Sequence, residues 1–158
     1  MAPTDPKRLK VIDRVVAVLK AITEGDDYFF TPSEVTKRMM DYAQIKGSPT
    51  YCVHSDTGAE PPKIYSGHQF DEKFAVSVKG WIRTMAGEST TIIERCIRDI
   101  RTAIDADTVS TAAGSLGALG ALPQVDTVET DSGWLAIEGF GYFDQRFIFR
   151  IRGDWRNL

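Results

Sequence analysis

Apolar side chains recur along the chain at helical spacing in two places. The first repeat has three- and four-residue spacing over about residues 6–24 and consists of Leu9, Ile12, Val15, Val16, Leu19 and Ile22. A polar Thr4-Asp5 pair before Pro6 and Gly25 beyond the repeat are typical helix boundaries. The second repeat runs from Ile92 to Ile104 and predicts a helix that opens near Ser89-Thr90-Thr91 and ends around Asp107. Thr91 and Glu94 have the spacing of a capping box near its start.

Alternating apolar and polar positions predict strands between and after these helices. The predicted strands are Thr50–His54, Lys73–Arg83, Val125–Thr130, Trp134–Ile137 and a last one around Phe147–Arg152. Gly80 lies inside the second of them and predicts a bulge or the close approach of another backbone. Thr31-Pro32-Ser33-Glu34 has capping-box spacing and predicts a short helix that carries Val35, Met39 and Met40.

Two biased segments predict loops. Ser55–Gln69 is polar, contains glycine and proline, and is expected to be an exposed connection. Thr108–Pro123 is rich in Gly and Ala, with Gly114, Gly117 and Gly120 three residues apart. It lacks the Gly-Lys-Ser/Thr ending of a phosphate loop, so we expect a flexible, mildly apolar loop.

This order of elements predicts an α+β fold. We expect a two-layer domain in which a mostly antiparallel or mixed β-sheet is packed by two main α-helices. The length of 158 residues fits a single domain over residues 1–158.

Composition excludes several function classes. There are 22 acidic and 19 basic residues, so the formal charge is −3, which argues against a DNA-coating protein. No segment has the ~20 consecutive apolar residues of a membrane span, and the N-terminus does not have the pattern of a signal peptide. We therefore expect a soluble protein made in a cytoplasm, with Cys52 and Cys96 as buried thiols rather than a disulfide.

The residues that could carry chemistry do not form a recognisable site in the sequence. Cys52 and His54 share a strand face, but no further metal ligands and no third group to orient a nucleophile accompany them. The carboxylate pairs Asp26/Asp27, Glu94/Asp99 and Asp105/Asp107 are expected at helix ends or on solvated helix faces. We expect no catalytic residue, no metal and no cofactor.

Arginines and loop leucines are the candidate interface residues. Arg95, Arg98 and Arg101 are spaced along the second helix, and Arg146, Arg150 and Arg152 lie near the C-terminus. These arginines could contact phosphates, but the acidic residues among them favour ion pairs at the surface or between subunits. Leu116, Leu119 and Leu122 recur every three residues in the Gly/Ala-rich loop. These leucines either become ordered against a neighbouring molecule in an assembly or fold back on their own sheet.

The layout of these segments resembles a family of virion proteins. The segments that carry the resemblance are the helix around Leu9–Ile22, Tyr28-Phe29-Phe30-Thr-Pro-Ser-Glu-Val35, Ser48-Pro49-Thr50-Tyr51-Cys52-Val53, the strand from Phe74 to Trp81, the helix from Ile97 to Asp107, Thr130-Asp131-Ser132-Gly133-Trp134 and the last strand Arg146–Arg152. Together they resemble the tail-terminator (tail-completion) proteins of long-tailed bacteriophages, at the neck end of the tail.

The resemblance implies a structural role in the virion. Members of this family act as rings of six that cap the tail tube and join the tail to the head. The implied partners are further copies of the chain, the tail tube protein, a head–tail connector or neck protein, and the tail sheath if the tail is contractile. DNA would only pass through the ring, and assembly would take place in the host cytoplasm.

Three alternatives remain open at this point. One is another neck or minor tail component, such as a head–tail connector or stopper. The second is a nucleic-acid-contacting module that uses the arginines, and the third is a small enzyme built around Cys52 and His54.

Overall fold

Two helices and six strands form the part of the chain that the computed structural model describes, which comprises residues 6–56, 63–65, 67–83, 88–131 and 139–154. The helices are α1 (Lys7–Lys20) and α2 (Ser89–Thr108). The strands are β1 (Glu34–Thr36), β2 (Thr50–Asp56), β3 (Lys63–Ile64), β4 (Gln69–Arg83), β5 (Leu122–Asp131) and β6 (Phe140–Asp154). A short 3-10 turn covers Tyr42–Gln44. The predicted α+β class is confirmed.

The six strands form one mixed sheet in the order β1-β2-β4-β6-β5, with β3 paired to the beginning of β4. Only the β1–β2 pair is parallel. β4 and β6 pair along their whole lengths, from Gln69 opposite Asp154 to Arg83 opposite Phe140. This central pair sets the register for both halves of the sheet.

Both helices pack on the same face of the sheet and enclose the hydrophobic core. α1 contributes Val11, Val15 and Leu19, and α2 contributes the stripe of Ile93, Cys96, Ile97, Ile100 and Ile104. The sheet meets them with alternate residues of its central strands, including Phe74, Val76, Val78, Phe143, Phe147 and Phe149. Burying one such side chain contributes about 1.5–3 kcal/mol, so this face is the main source of stability.

The opposite face of the sheet is partly covered by the segment that follows β1. Tyr42 in this segment places its ring 5.9 Å from the ring of Phe140. The Arg83 guanidinium donates a hydrogen bond to the Ile45 carbonyl at 3.1 Å. Ile45 is buried there, outside the main core. Further along this face lie Arg146 and Arg150 of β6, while Ala75 and Ser77 of β4 are buried on it.

The prediction of a short helix after Thr31 is wrong. Residues Glu34–Thr36 instead form β1, in which Val35 lies opposite Tyr51 of β2 and is buried. The Ser33 amide also donates to the Pro49 carbonyl at 2.8 Å, which extends the chain before the strand begins. Pairing with a buried strand outweighs a local capping signal because it satisfies the backbone and buries Val35 together.

The structure confirms the start of the second helix but corrects other details of the prediction. α2 begins at Ser89, within the predicted Ser89-Thr90-Thr91 start, but its N-cap is Glu88 and no side-chain capping bond is present, so the Thr91/Glu94 capping box is not formed. The expected loop Ser55–Gln69 contains the end of β2, the short β3 and the first residue of β4. The predicted strand Trp134–Ile137 and the Thr4-Asp5 cap lie outside the described residues.

Gly80 marks a close approach, but of a ring rather than a backbone. The β4–β6 pairing continues through it without a shift of register. A Cβ atom at this position would lie 2.0 Å from the nearest ring carbon of Phe143. Glycine is therefore needed here to leave space for the buried Phe143 ring.

Candidate interaction surface

Ion pairs join different strands across the face of the sheet opposite the helices. Arg146 on β6 lies 3.2 Å from a carboxylate oxygen of Asp56 on β2 and 2.7 Å from one of Asp126 on β5. Lys79 on β4 lies 3.5 Å from Asp144 on β6. Each pair joins residues that are far apart in the sequence. Positive and negative side chains therefore alternate on this face, and it has no large patch of one charge among the described residues.

A second group of charges lies nearer the C-terminal end of β6. Arg150 donates from Nε to the two carboxylate oxygens of Asp71 at 2.9 and 3.1 Å and adds a short bond from Nη2. Arg152 donates from Nε to Asp71 at 3.2 Å. These guanidinium groups, Arg150 foremost, lower the pKa of Asp71 to about 2. The carboxylate therefore stays ionised and holds both arginines in place across ordinary pH.

The three C-terminal candidate arginines thus already have carboxylate partners within the chain. Arg146, Arg150 and Arg152 pair with Asp56, Asp126 and Asp71. Binding to nucleic acid needs cations that can neutralise phosphates, and here three arginines face three carboxylates, with Asp71 shared by Arg150 and Arg152. The surface is better suited to meet another protein surface of fixed charge pattern.

The arginines of α2 are used differently. The guanidinium carbons of Arg95 and Arg98 lie 4.9 and 5.0 Å from the centre of the Phe29 ring. Arg98 also donates to the Asp27 carbonyl at 3.3 Å. Both side chains therefore hold the loop after α1 against the helix. Arg101 is exposed and borders a groove between α2 and β5.

The side chain of Asp99 on α2 binds the backbone of the same loop. Its carboxylate accepts hydrogen bonds from the amides of Phe29 and Phe30, at 2.8 and 3.1 Å. The side chain is fully buried, and burial raises its pKa. The expectation of a solvated helix face is therefore wrong for Asp99: the loop amides need an acceptor, and the helix supplies one inside the fold.

The loop leucines have three different environments. Leu116 is 0% exposed and belongs to the core, Leu119 is partly buried against that core, and Leu122 is 60% exposed as the first residue of β5. This corrects the interface hypothesis for Leu116, because a side chain enclosed by its own subunit cannot contact a neighbouring ring. The alternative, in which the leucines fold back on their own chain, applies to Leu116. Leu122 is the exposed leucine of the three and stays a candidate interface residue.

The Cys52 and His54 pair has the opposite environment to an activated nucleophile. Cys52 is buried and hydrogen-bonded to the Met40 backbone, and burial raises the pKa of its thiol. Burial lowers the pKa of His54. Ser77, across from His54, is also buried, and its hydroxyl donates to Asp56 at 3.4 Å rather than to the imidazole. A reactive thiol needs a low pKa and access to substrate, and Cys52 has neither.

Neither a metal-binding group nor a membrane-spanning helix is present among the described residues. No group of three or more His, Cys, Asp and Glu side chains in this part of the chain is arranged to hold a metal ion. None of its helices is both long and apolar enough to cross a bilayer.

The arrangement offers fixed charges on a flat sheet face and two unlike sheet edges at β1 and β5. Such a surface can recognise another folded surface through charge pattern and strand pairing. Comparison with protein-family models and with curated proteins finds no match to this chain.

Proposed function

We propose that this chain is a structural virion protein that caps the tail tube of a long-tailed bacteriophage and joins the tail to the head, acting as a ring. The observation that carries the proposal is that one sheet ends in two unlike edges, the three-residue β1 and the ten-residue β5. A closed ring uses a heterologous interface, so each subunit needs two different patches that fit each other.

The charged face of the sheet supports the same proposal. Its arginines are held in ion pairs that cross from strand to strand, so the face keeps a defined pattern of charge. Interfaces between separately folded proteins commonly combine an apolar core with a rim of such polar groups. In this proposal the partners are further copies of the chain, the tail tube protein and a head–tail connector, with the sheath added in a contractile tail.

Incubation of the purified chain with tail tubes that lack it tests the proposal. We expect negative-stain images to show a cap on one end of each tube, with six-fold symmetry in averaged end views. Isolated head–tail connectors serve as the comparison particle, because a connector or stopper would bind there and leave tube ends bare. Bare tube ends at a saturating concentration of folded protein would overturn the proposal.

Binding to nucleic acid can be measured in the same preparation. If the arginines contacted phosphates, affinity for duplex DNA would fall steeply as salt rises. Because Arg146, Arg150 and Arg152 are paired with carboxylates, we expect no binding at physiological salt. Tight binding with a steep salt dependence would support the nucleic-acid module instead.

A further inference from the structure

We infer that copies of this chain join edge to edge, with the outer edge of β5 in one copy against the outer edge of β1 in the next. The inference rests on the proposed function, because it specifies how the ring would be built. Along the strand order of the described sheet, β1 and β5 are the two ends, each paired on one side. The two-residue β3 lies off this order and pairs with β4. The N–H and C=O groups on the other side of an edge strand can pair with a strand of another molecule.

Strand direction makes the two edges compatible. β1 runs parallel to β2, and the next three steps across the sheet, to β4, β6 and β5, are each antiparallel. Three reversals leave β5 antiparallel to β1. Two copies placed side by side in the same orientation therefore present antiparallel edges to each other. Repetition of that one contact is heterologous and can close into a ring.

The β5 edge carries apolar side chains that its own subunit leaves uncovered. Leu122, Val125 and Val128 are 60%, 42% and 36% exposed. Val125 lines a groove of about 340 Å³ between α2 and β5, together with Ile104 and Phe147. Leu122, opposite Arg150 of β6, lies on the other face of the sheet. In the neighbouring copy α1 packs on β1 and β2, so it would extend the helix layer next to this groove. The edge contact would thereby cover apolar surface as well as pair backbone groups.

Charge favours the β1 edge over a second β5 as the partner. β5 contains no basic residue and three acidic ones, Asp126, Glu129 and Asp131, of which Asp126 is paired with Arg146. The segment from β1 to Lys46 contains more basic than acidic residues. Its basic residues are Lys37, Arg38 and Lys46, of which Lys37 is paired with Asp13. Two β5 strands side by side would bring like charges together, which destabilises a strand pair. The complementary arrangement is therefore head to tail.

Cysteine cross-linking tests which edges meet. Glu34 on β1 and Thr127 on β5 are both exposed, and both lie on the face of the sheet opposite the helices. The native Cys52 and Cys96 are buried and can remain. Glu34→Cys, Thr127→Cys and the double variant are each treated with a flexible bis-maleimide, both on tail tubes and at high concentration without them. Denaturing gels then report the covalent species.

The expected pattern is specific to a head-to-tail contact. Each single variant alone should stay monomeric on the gel, a mixture of the two should give dimers, and the double variant should give a ladder that stops at the ring size. Cross-linked dimers from Thr127→Cys alone would show β5 against β5 and overturn the inference. Rings visible on tube ends without a ladder would overturn it while the proposed function stands. A ladder in concentrated protein that never binds tubes would support the edge contact and reject the tail-capping function.

Discussion

Arg14 on α1 donates two hydrogen bonds to Asp107 at the end of α2, from Nε at 3.0 Å and from Nη2 at 2.6 Å. The same carboxylate accepts the Leu116 amide at 2.8 Å, while the Asp107 carbonyl accepts the Gly117 amide at 3.2 Å. Asp107 therefore ties together both helices and the Gly/Ala-rich loop. The sequence pattern placed it on a solvated helix end, and the structure buries it.

Replacing Asp107 tests this junction. Asp107→Asn keeps an acceptor oxygen but loses the charge that Arg14 and the loop amide share. We expect it to lower the free energy of unfolding by about 1–3 kcal/mol, the usual range for hydrogen bonds to a charged group. Urea unfolding measures the change. Asp105→Asn, on the exposed side of the same helix, is the matched control and should stay within about 0.5 kcal/mol of the wild type.

The pH dependence of stability should report the same ion pair. The hydrogen bond from Arg14 is the main cause that lowers the pKa of Asp107 in the folded protein, whereas in the unfolded chain the pKa is about 3.9. The unfolded chain takes up the proton first as pH falls. The stabilisation is therefore fully present above that unfolded pKa and is lost as pH falls through the folded pKa.

Comparison with Arg14→Gln isolates this effect. The stability difference between wild type and variant should be constant from about pH 7 to pH 5 and should shrink below about pH 4. Asp71, whose pKa is also lowered, is unchanged in both proteins and cancels in the difference. Urea midpoints at several pH values measure it. A difference that does not change with pH would contradict the assignment of Arg14 as the cause.

Periodicity predicted the parts of the fold that depend on one amphipathic element at a time. Both main helices and the paired strands β2, β4 and β5 lie close to their predicted positions, because each buries its own apolar stripe. β6 contains its predicted strand around Phe147–Arg152 but already begins at Phe140. β1 was missed because its three residues are a strand only through pairing with β2. Local capping chemistry at Thr31–Glu34 could not reveal that partner.

The candidate site was less predictable because its groups act through distant partners. Asp99 and Asp107 look like ordinary surface carboxylates on α2, and their roles depend on loop amides 69, 70 and 9 residues away. The pairing of Arg150 with Asp71 likewise joins residues 79 positions apart. The helix–loop contacts depend on how the loops pack, and the Arg150–Asp71 pair depends on the sheet register. A single sequence specifies neither. The position of Asp99, a charged residue on the apolar face of α2, was the one signal in the sequence for its buried role.

Two leucines of the Gly/Ala-rich loop, Leu116 and Leu122, should respond differently to replacement by alanine. Leu116→Ala removes a fully buried side chain and should cost about 2–5 kcal/mol. Leu122→Ala removes a mostly exposed one and should leave the subunit's stability within about 0.5 kcal/mol while weakening ring formation. Thermal unfolding and cap counts on tail tubes measure the two effects. Equal stability losses would place Leu122 in the core and remove it from the interface.

The contact between Gly80 and Phe143 predicts a rescuable defect. A methyl group at position 80 would meet the Phe143 ring at 2.0 Å, so Gly80→Ala should destabilise the subunit by about 1–3 kcal/mol through overpacking. Gly25→Ala is the control and should be near neutral, because a Cβ atom there would lie 4.0 Å from its nearest neighbour, the Thr23 carbonyl oxygen.

Shrinking the ring should relieve the clash. Phe143→Leu alone loses buried surface, including the edge-on contact with Tyr51 at 6.1 Å between ring centres. Combined with Gly80→Ala it also frees the space that the new methyl group needs. The double variant should therefore be more stable than the sum of the two single losses by about 0.5–3 kcal/mol, the range for residues in direct contact. Strict additivity in urea unfolding would mean that the backbone moves to accommodate the methyl group and that the ring does not require glycine at position 80.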